Sequence, residues 1–160
     1  MAELEPMLIK SPAEGRRVGL VGDVYRFVAT GDETGGCYAI LEATVLPGGG
    51  PPPHIHRREE ETFYVIEGEI TFQCGDEKNV CGPGTFVHVP IGNLHAFRND
   101  GNKAAKMLIR FSPSGLEEMF FENGKELRFD ELPEPSSSGE IEKLLASAVK
   151  YGIEYIHGDD

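Results

Sequence analysis

His54-Ile55-His56 sets two imidazoles two positions apart. On a strand, side chains at that spacing project from one face, so both rings can reach a single ion. Glu61, Phe63 and Val65 share a parity further along, which lets a carboxylate face the same cavity that Phe63 and Val65 line. His95 precedes Ala96-Phe97-Arg98 and can approach from a neighbouring strand. Three imidazoles and one carboxylate form a borderline donor set, suited to one divalent transition metal: iron, manganese, nickel, zinc, cobalt or copper. Such a set leaves coordination positions open, as an oxygenase, isomerase or hydrolase requires. Each residue also has a plainer reading. A histidine on a strand is more often a surface or satisfied core residue, Glu59-Glu60-Glu61 could be a solvated acidic run, and Glu60 competes with Glu61 for the ligand position.

Short strands are the elements that must position these groups. With 20 glycines and 11 prolines the chain is rich in turn residues, which favours many short strands over a few long helices. Strands are expected over residues 24–30, 38–46, 62–66, 69–74, 78–81, 85–89, 95–98 and 106–111, with a hairpin turn at Gly75-Asp76-Glu77. Phe63, Tyr64, Val65 and Ile66 are apolar on both parities, so that strand is expected to be covered on both faces. A closed barrel would cover one face, and a partner subunit or a terminal segment the other. After Phe111 the pattern turns helical. A short helix is expected through Leu116, Met119 and Phe120, stopping at Gly124. A second should carry Ile141, Leu144, Leu145, Ala148 and Val149, with Ser138 as N-cap and Gly152 near its end. The chain thus divides into an N-terminal extension (1–17), a β-barrel (18–112) and a C-terminal helical extension (113–160).

The arrangement of the site residues is more telling than any one of them. Gly48, His54, His56, Glu61 and Gly68, at their spacings, resemble the first motif of the cupin family. Gly84, Pro90, Gly92, His95 and Asn99 resemble the second. Every fixed position of both motifs is filled. The resemblance implies an all-β fold, a small antiparallel jelly-roll (cupin) barrel, and makes His54, His56, Glu61 and His95 the metal ligands. It also selects Glu61 over Glu60, because Glu61 stands at the motif's distance from Gly68. Gly48, Gly68, Gly84, Pro90 and Gly92 then become turn residues, and Asn99 fixes backbone rather than touching metal.

One-domain cupins of this look resemble quercetinase-like dioxygenases, which implies that Glu61 acts as a proton acceptor as well as a ligand. Two alternatives stand beside that reading. One is a non-redox isomerase, epimerase or lyase of a sugar or keto acid; the other is a non-catalytic small-ligand-binding protein. Phe63, His88 and Phe97 are candidate substrate contacts, against plainer readings as core or surface residues. Arg57 and Arg58 could steer an anion from the rim. Tyr64, Phe72 and Phe86 read as core aromatics, and Arg98 and Arg110 as salt-bridged surface residues.

Composition narrows the partners. A net charge of -12 repels nucleic acid, and no membrane partner is expected; the cupin resemblance implies a small-molecule substrate, and it joins the doubly apolar strand Thr62 to Ile66 in pointing to a homodimer. No apolar run is long enough to cross a bilayer. The start, Met1-Ala2-Glu3-Leu4-Glu5-Pro6, is unlike a signal peptide, and a cytoplasmic location is expected. Cys37, Cys74 and Cys81 lack metal-binding spacing. Cys74 and Cys81 could face each other across the hairpin, but buried or half-buried free thiols are the expectation.

Overall fold

The computed structural model describes residues 4–156; the outermost parts of both expected extensions, 1–3 and 157–160, lie outside the described residues. The chain runs β1 (Arg17–Leu20), β2 (Asp23–Ala29), β3 (Ala39–Val45), β4 (His54–His56), β5 (Glu60–Glu67), β6 (Ile70–Cys74), β7 (Glu77–Cys81), β8 (Phe86–Val89), β9 (His95–Arg98) and β10 (Ala105–Ser112). Then follow α1 (Glu117–Asn123), β11 (Lys125–Glu126), α2 (Ser138–Ala148) and β12 (Ile153–Tyr155). All pairings described are antiparallel. They build a seven-stranded sheet, β11-β1-β2-β3-β10-β5-β8, and a five-stranded one, β12-β4-β9-β6-β7. The fold is an all-β jelly roll with a C-terminal helical extension, as the sequence predicts.

Two expectations need correction and a third needs enlarging. The barrel is not closed: among the described residues no ladder joins the two sheets. The free edges are β11 and β8 in one sheet and β12 and β7 in the other, and Pro90, which ends β8, has no N–H to extend that edge. The C-terminal extension is not only helical, since it adds β11 to one sheet and β12 to the other. The two-residue turn at Gly75-Asp76 pairs Cys74 with Glu77 and Cys81 with Ile70, so the thiols sit at opposite ends of the hairpin. All three cysteines are free, Cys37 and Cys74 are exposed rather than buried, and Cys81 is half-buried.

β3 and β10 show why the sheets face each other. Their residues alternate between buried and half-buried along the whole strand, as a period of two demands. Leu41, Met107, Ile109 and Phe111 meet Phe27 and Phe63 between the layers, all at 2% exposure or less. Each such side chain contributes about 1.5–3 kcal/mol by leaving water. The other parity of β5 is not covered among the described residues: Tyr64 is 47% and Ile66 41% exposed.

The C-terminal segment folds back over one end of the sandwich. Ser137, not Ser138, caps α2: its backbone is extended and its hydroxyl accepts the Glu140 N–H, which is what an N-cap requires. Glu140 in turn accepts the Val21 N–H at 2.9 Å, tying α2 to the β1–β2 turn. Gly124 ends α1, its N–H donating to the Phe120 carbonyl. No helix is long and apolar enough to cross a membrane among the described residues.

Candidate metal centre

β4 carries His54 and His56 inward on one face, with Ile55 between them half-buried. β9 pairs with β4 in a register that sets His54 opposite His95. Glu61 lies near the start of β5, in the facing sheet. Two glycines permit these approaches. Gly50 has φ +121° and packs on the Phe97 carbonyl, where any side chain would collide, and this seats the proline run before β4. Gly68 (φ +75°) turns the chain from β5 toward β6 against Ala105, whose Cβ a side chain would meet at 2.9 Å. Asn99, 1% exposed, donates to the Val45 and Lys103 carbonyls and accepts from the Gly101 N–H. It fixes backbone, as the motif reading expects.

The four side chains converge. Their donor atoms all lie within 4.8 Å of one another, and all four residues are buried. His54 Nε2 is 3.1 Å from His56 Nε2, and Glu61 Oε2 lies 3.0 Å from His56 Nε2 and 2.9 Å from His95 Nε2. The outward nitrogens decide the tautomers. His54 Nδ1 is 2.9 Å from the Pro52 carbonyl, His95 Nδ1 3.0 Å from the Asn93 carbonyl, and His56 Nδ1 2.7 Å from Glu59 Oε1. Each oxygen can only accept, so each Nδ1 carries the proton and each Nε2 lone pair points inward. Three inward lone pairs beside a carboxylate repel one another unless a cation or protons sit between them. The donor set therefore fits a metal ion, and the group can hold one.

Protonation follows the same geometry. Burial drives His54 down to about 4, with His95 and His56 adding to the effect and Glu61 opposing it. Burial also pulls on His56, but Glu61 and Glu59 outweigh it and raise His56 to about 9. For Glu61 burial acts upward and is outweighed by His56 and His95, so its carboxyl stays well below the usual range. The proton held between Glu61 and the imidazoles is the one an arriving cation displaces.

Above the group lies a cavity of about 330 Å³. His54, His56 and Glu61 border it, with Phe97, Ile109 and Phe111 from the sandwich and Leu20, Val21 and Tyr25 from β1–β2. Leu116, Met119, Phe120, Ile141, Leu144, Leu145, Ile153 and Tyr155 from the C-terminal segment close it over. No lysine or arginine is among the lining residues.

The candidate substrate contacts divide. Phe97 lines the cavity. Phe63 does not border it; it is 1% exposed and packs against Phe72 and Phe97, with ring centroids 5.0 and 5.6 Å away. His88 is on the outer face, paired with Glu60 at 3.3 Å, because β8 turns that parity to solvent. Glu60 points outward with it and also meets Arg110, while Arg98 pairs with Asp100. Phe72 is buried, whereas Tyr64 and Phe86 are exposed rather than core. Arg57 is held by Glu154 at 2.7 Å and Arg58 donates to the Lys150 carbonyl, so both brace the C-terminal segment.

Three groups escape the sequence reading. Glu59 is 4% exposed and orients His56; its place three residues after His56 was the available signal. Asp23, 2% exposed, borders the cavity, where burial pushes its carboxyl up to about 6 against hydrogen bonds from the Leu46 and Gly50 backbone. Tyr155 arrives with β12, and no local pattern announces it.

Residues 41–111 match the family described as Cupin domain. The quercetin 2,3-dioxygenase of Bacillus subtilis (strain 168) is 34% identical over 117 residues, which are 72% of this chain and 34% of that protein. The quercetin 2,3-dioxygenase of Aspergillus japonicus is 28% identical over 126 residues, covering 74% and 35% respectively. The chain thus spans about a third of the length of these relatives. Among solved structures, a predicted oxalate decarboxylase from Thermotoga maritima superposes with a TM-score of 0.60 at 18% identity, over 67% of this chain and 99% of that one. That likeness is one of fold.

Proposed function

The chain belongs to the cupin superfamily, and from that premise we propose that it is a metal-dependent dioxygenase acting on a small hydrophobic molecule, in the manner of a quercetinase. The observation that carries this reading is an apolar cavity that ends on two imidazoles and the carboxylate of the donor group, His54, His56 and Glu61, with no lysine or arginine in its lining. Beyond the metal itself, a phosphorylated sugar or a charged keto acid would find no lysine or arginine there to match its charge.

His54, His56 and His95 hold the metal through Nε2, and Glu61 through its carboxylate. When bound, the ion supplies Lewis acidity and the electron chemistry of dioxygen. The remaining work belongs to the chain. Every contact of Glu61 with the imidazoles runs through Oε2, which leaves Oε1 to take the proton of an enolic substrate hydroxyl. Glu59, the Pro52 carbonyl and the Asn93 carbonyl hold the three rings in place. The walls from α1, α2 and β12 exclude water from the reacting atoms.

Oxygen uptake by the metal-loaded protein with quercetin tests the reaction. The expected result is uptake matched to loss of the flavonol, falling by about 100-fold or more in Glu61→Gln. Binding of quercetin without any oxygen uptake would overturn the reading. We also propose a cytoplasmic homodimer, formed through the outer face of β5, where Tyr64 and Ile66 are exposed. Light scattering on the eluting protein tests the dimer; the monomer mass alone would refute it.

A further inference from the structure

We propose that Tyr25 and Tyr155 form a second, polar subsite of this cavity, which hydrogen-bonds oxygen substituents of an uncharged aromatic substrate and so sets specificity. The proposal rests on the preceding reading for the reaction but not for the binding.

Both phenols border the cavity that contains His54, His56 and Glu61. Tyr155 comes from β12 and its ring lies 5.6 Å from that of His54. Tyr25 comes from β2, where Phe120 holds its ring edge-on at 4.9 Å and an interplanar angle of 70°. Among the described residues no hydrogen bond engages either hydroxyl, whereas the hydroxyl of Tyr151, outside the cavity, bonds Glu122. Leaving a buried phenol unpaired is unfavourable, and this fold avoids it: the fully buried side-chain atoms without a partner are Arg17 Nε and Asn123 Oδ1, neither a phenol. The two hydroxyls therefore keep their capacity for whatever fills the cavity.

The cavity states what that is. Asp23 and Glu61 are its carboxylates and it has no lysine or arginine, so away from the metal an anionic substituent meets Asp23 without a counter-charge. Phe97, Phe111 and Phe120 offer flat apolar walls. A phenol O–H both donates and accepts, so it can serve a hydroxyl or a carbonyl on an otherwise apolar ring. Tyr25 and Tyr155 lie on either side of residues 41–111, the part shared with the family. Discrimination between substrates would then come from the flanking segments, and metal binding from the shared part.

Binding in the absence of oxygen tests the subsite apart from the reaction. Metal-loaded wild-type protein, Tyr155→Phe and Tyr25→Phe are titrated with quercetin and with 3-hydroxyflavone, which lacks quercetin's other hydroxyls, and the ligand's own absorbance is read. Wild type is expected to bind quercetin about tenfold more tightly than 3-hydroxyflavone. Each variant should narrow that gap to about threefold or less, with the 3-hydroxyflavone Kd unchanged. A gap that persists in both variants overturns the proposal. So does equal weakening of both ligands, which would mark a packing role, and so does failure of both flavonols to bind or tighter binding of a hexose phosphate. Oxygen uptake lost with the binding pattern intact would count against the dioxygenase reading alone.

Discussion

The metal end of the site and its roof are built in opposite ways. At the metal end the parts lie within 41 positions of one another: His54 and His56 share a three-residue strand, and His95 faces His54 across one strand pair. At the roof, contacts join distant segments, such as the Val21 N–H with Glu140, 119 positions apart, and Arg57 with Glu154, 97 apart. Polar groups differ as sharply. Each imidazole at the metal end has an oxygen on its outward nitrogen. Among the described residues the roof keeps two phenols without partners and an aspartate whose burial disfavours its charge. The difference teaches that the metal end is organised in advance, whereas the roof retains hydrogen-bonding capacity for a ligand.

The strongest way to break this contrast is at Asp23. Its carboxyl holds its proton more tightly in the folded chain, to about 6, than the ordinary value of 3.8. Folding is thus most favoured by this group when it is protonated. That advantage is complete below about pH 4, is lost as pH rises from about 4 to 6, and is absent above. Asp23→Asn should flatten this part of the stability profile and, at neutral pH, gain up to about 3 kcal/mol. Urea unfolding at pH 4, 5 and 7 reads it; parallel profiles for variant and wild type would remove the contrast.

A smaller effect sharpens the metal end. Glu59→Ala leaves the outward nitrogen of His56 without its carboxylate and should weaken metal affinity by about 10–100-fold, with little change in the roof. Competition against a chromophoric chelator measures it, and unchanged affinity would show that Glu59 is only buried ballast. The smallest effect separates the two regions. Ser137→Ala removes the cap of α2 and should cost about 1 kcal/mol. Hydrogen exchange should quicken in α2 while metal content stays constant; a fall in metal content would show that roof and metal end are one unit.

The same contrast explains what the sequence made legible. Alternation along β3 and β10 and the turn residues around β6–β7 are local, so those strands could be placed to within a residue or two. The convergence of His54, His56, Glu61 and His95 could be foreseen because short strands fix which side chains share a face, and the resemblance to cupin motifs chose Glu61 over Glu60. For Phe63 and His88 the sequence left two readings side by side, because parity alone does not say which face looks into a cavity and which into core or solvent. β11, β12 and the inward turn of Tyr155 were invisible, since a strand of two or three residues has no period of its own and exists only through its partner. The closed barrel failed for a related reason: sheet closure depends on ladders between distant edges, which no local pattern encodes.

The central claim is most directly tested by metal analysis of the purified protein beside His54→Ala/His56→Ala, with circular dichroism to establish that both are folded. The account predicts about one first-row transition metal ion per chain in the wild type and only traces in the double variant. Equal metal content in two folded proteins would contradict it.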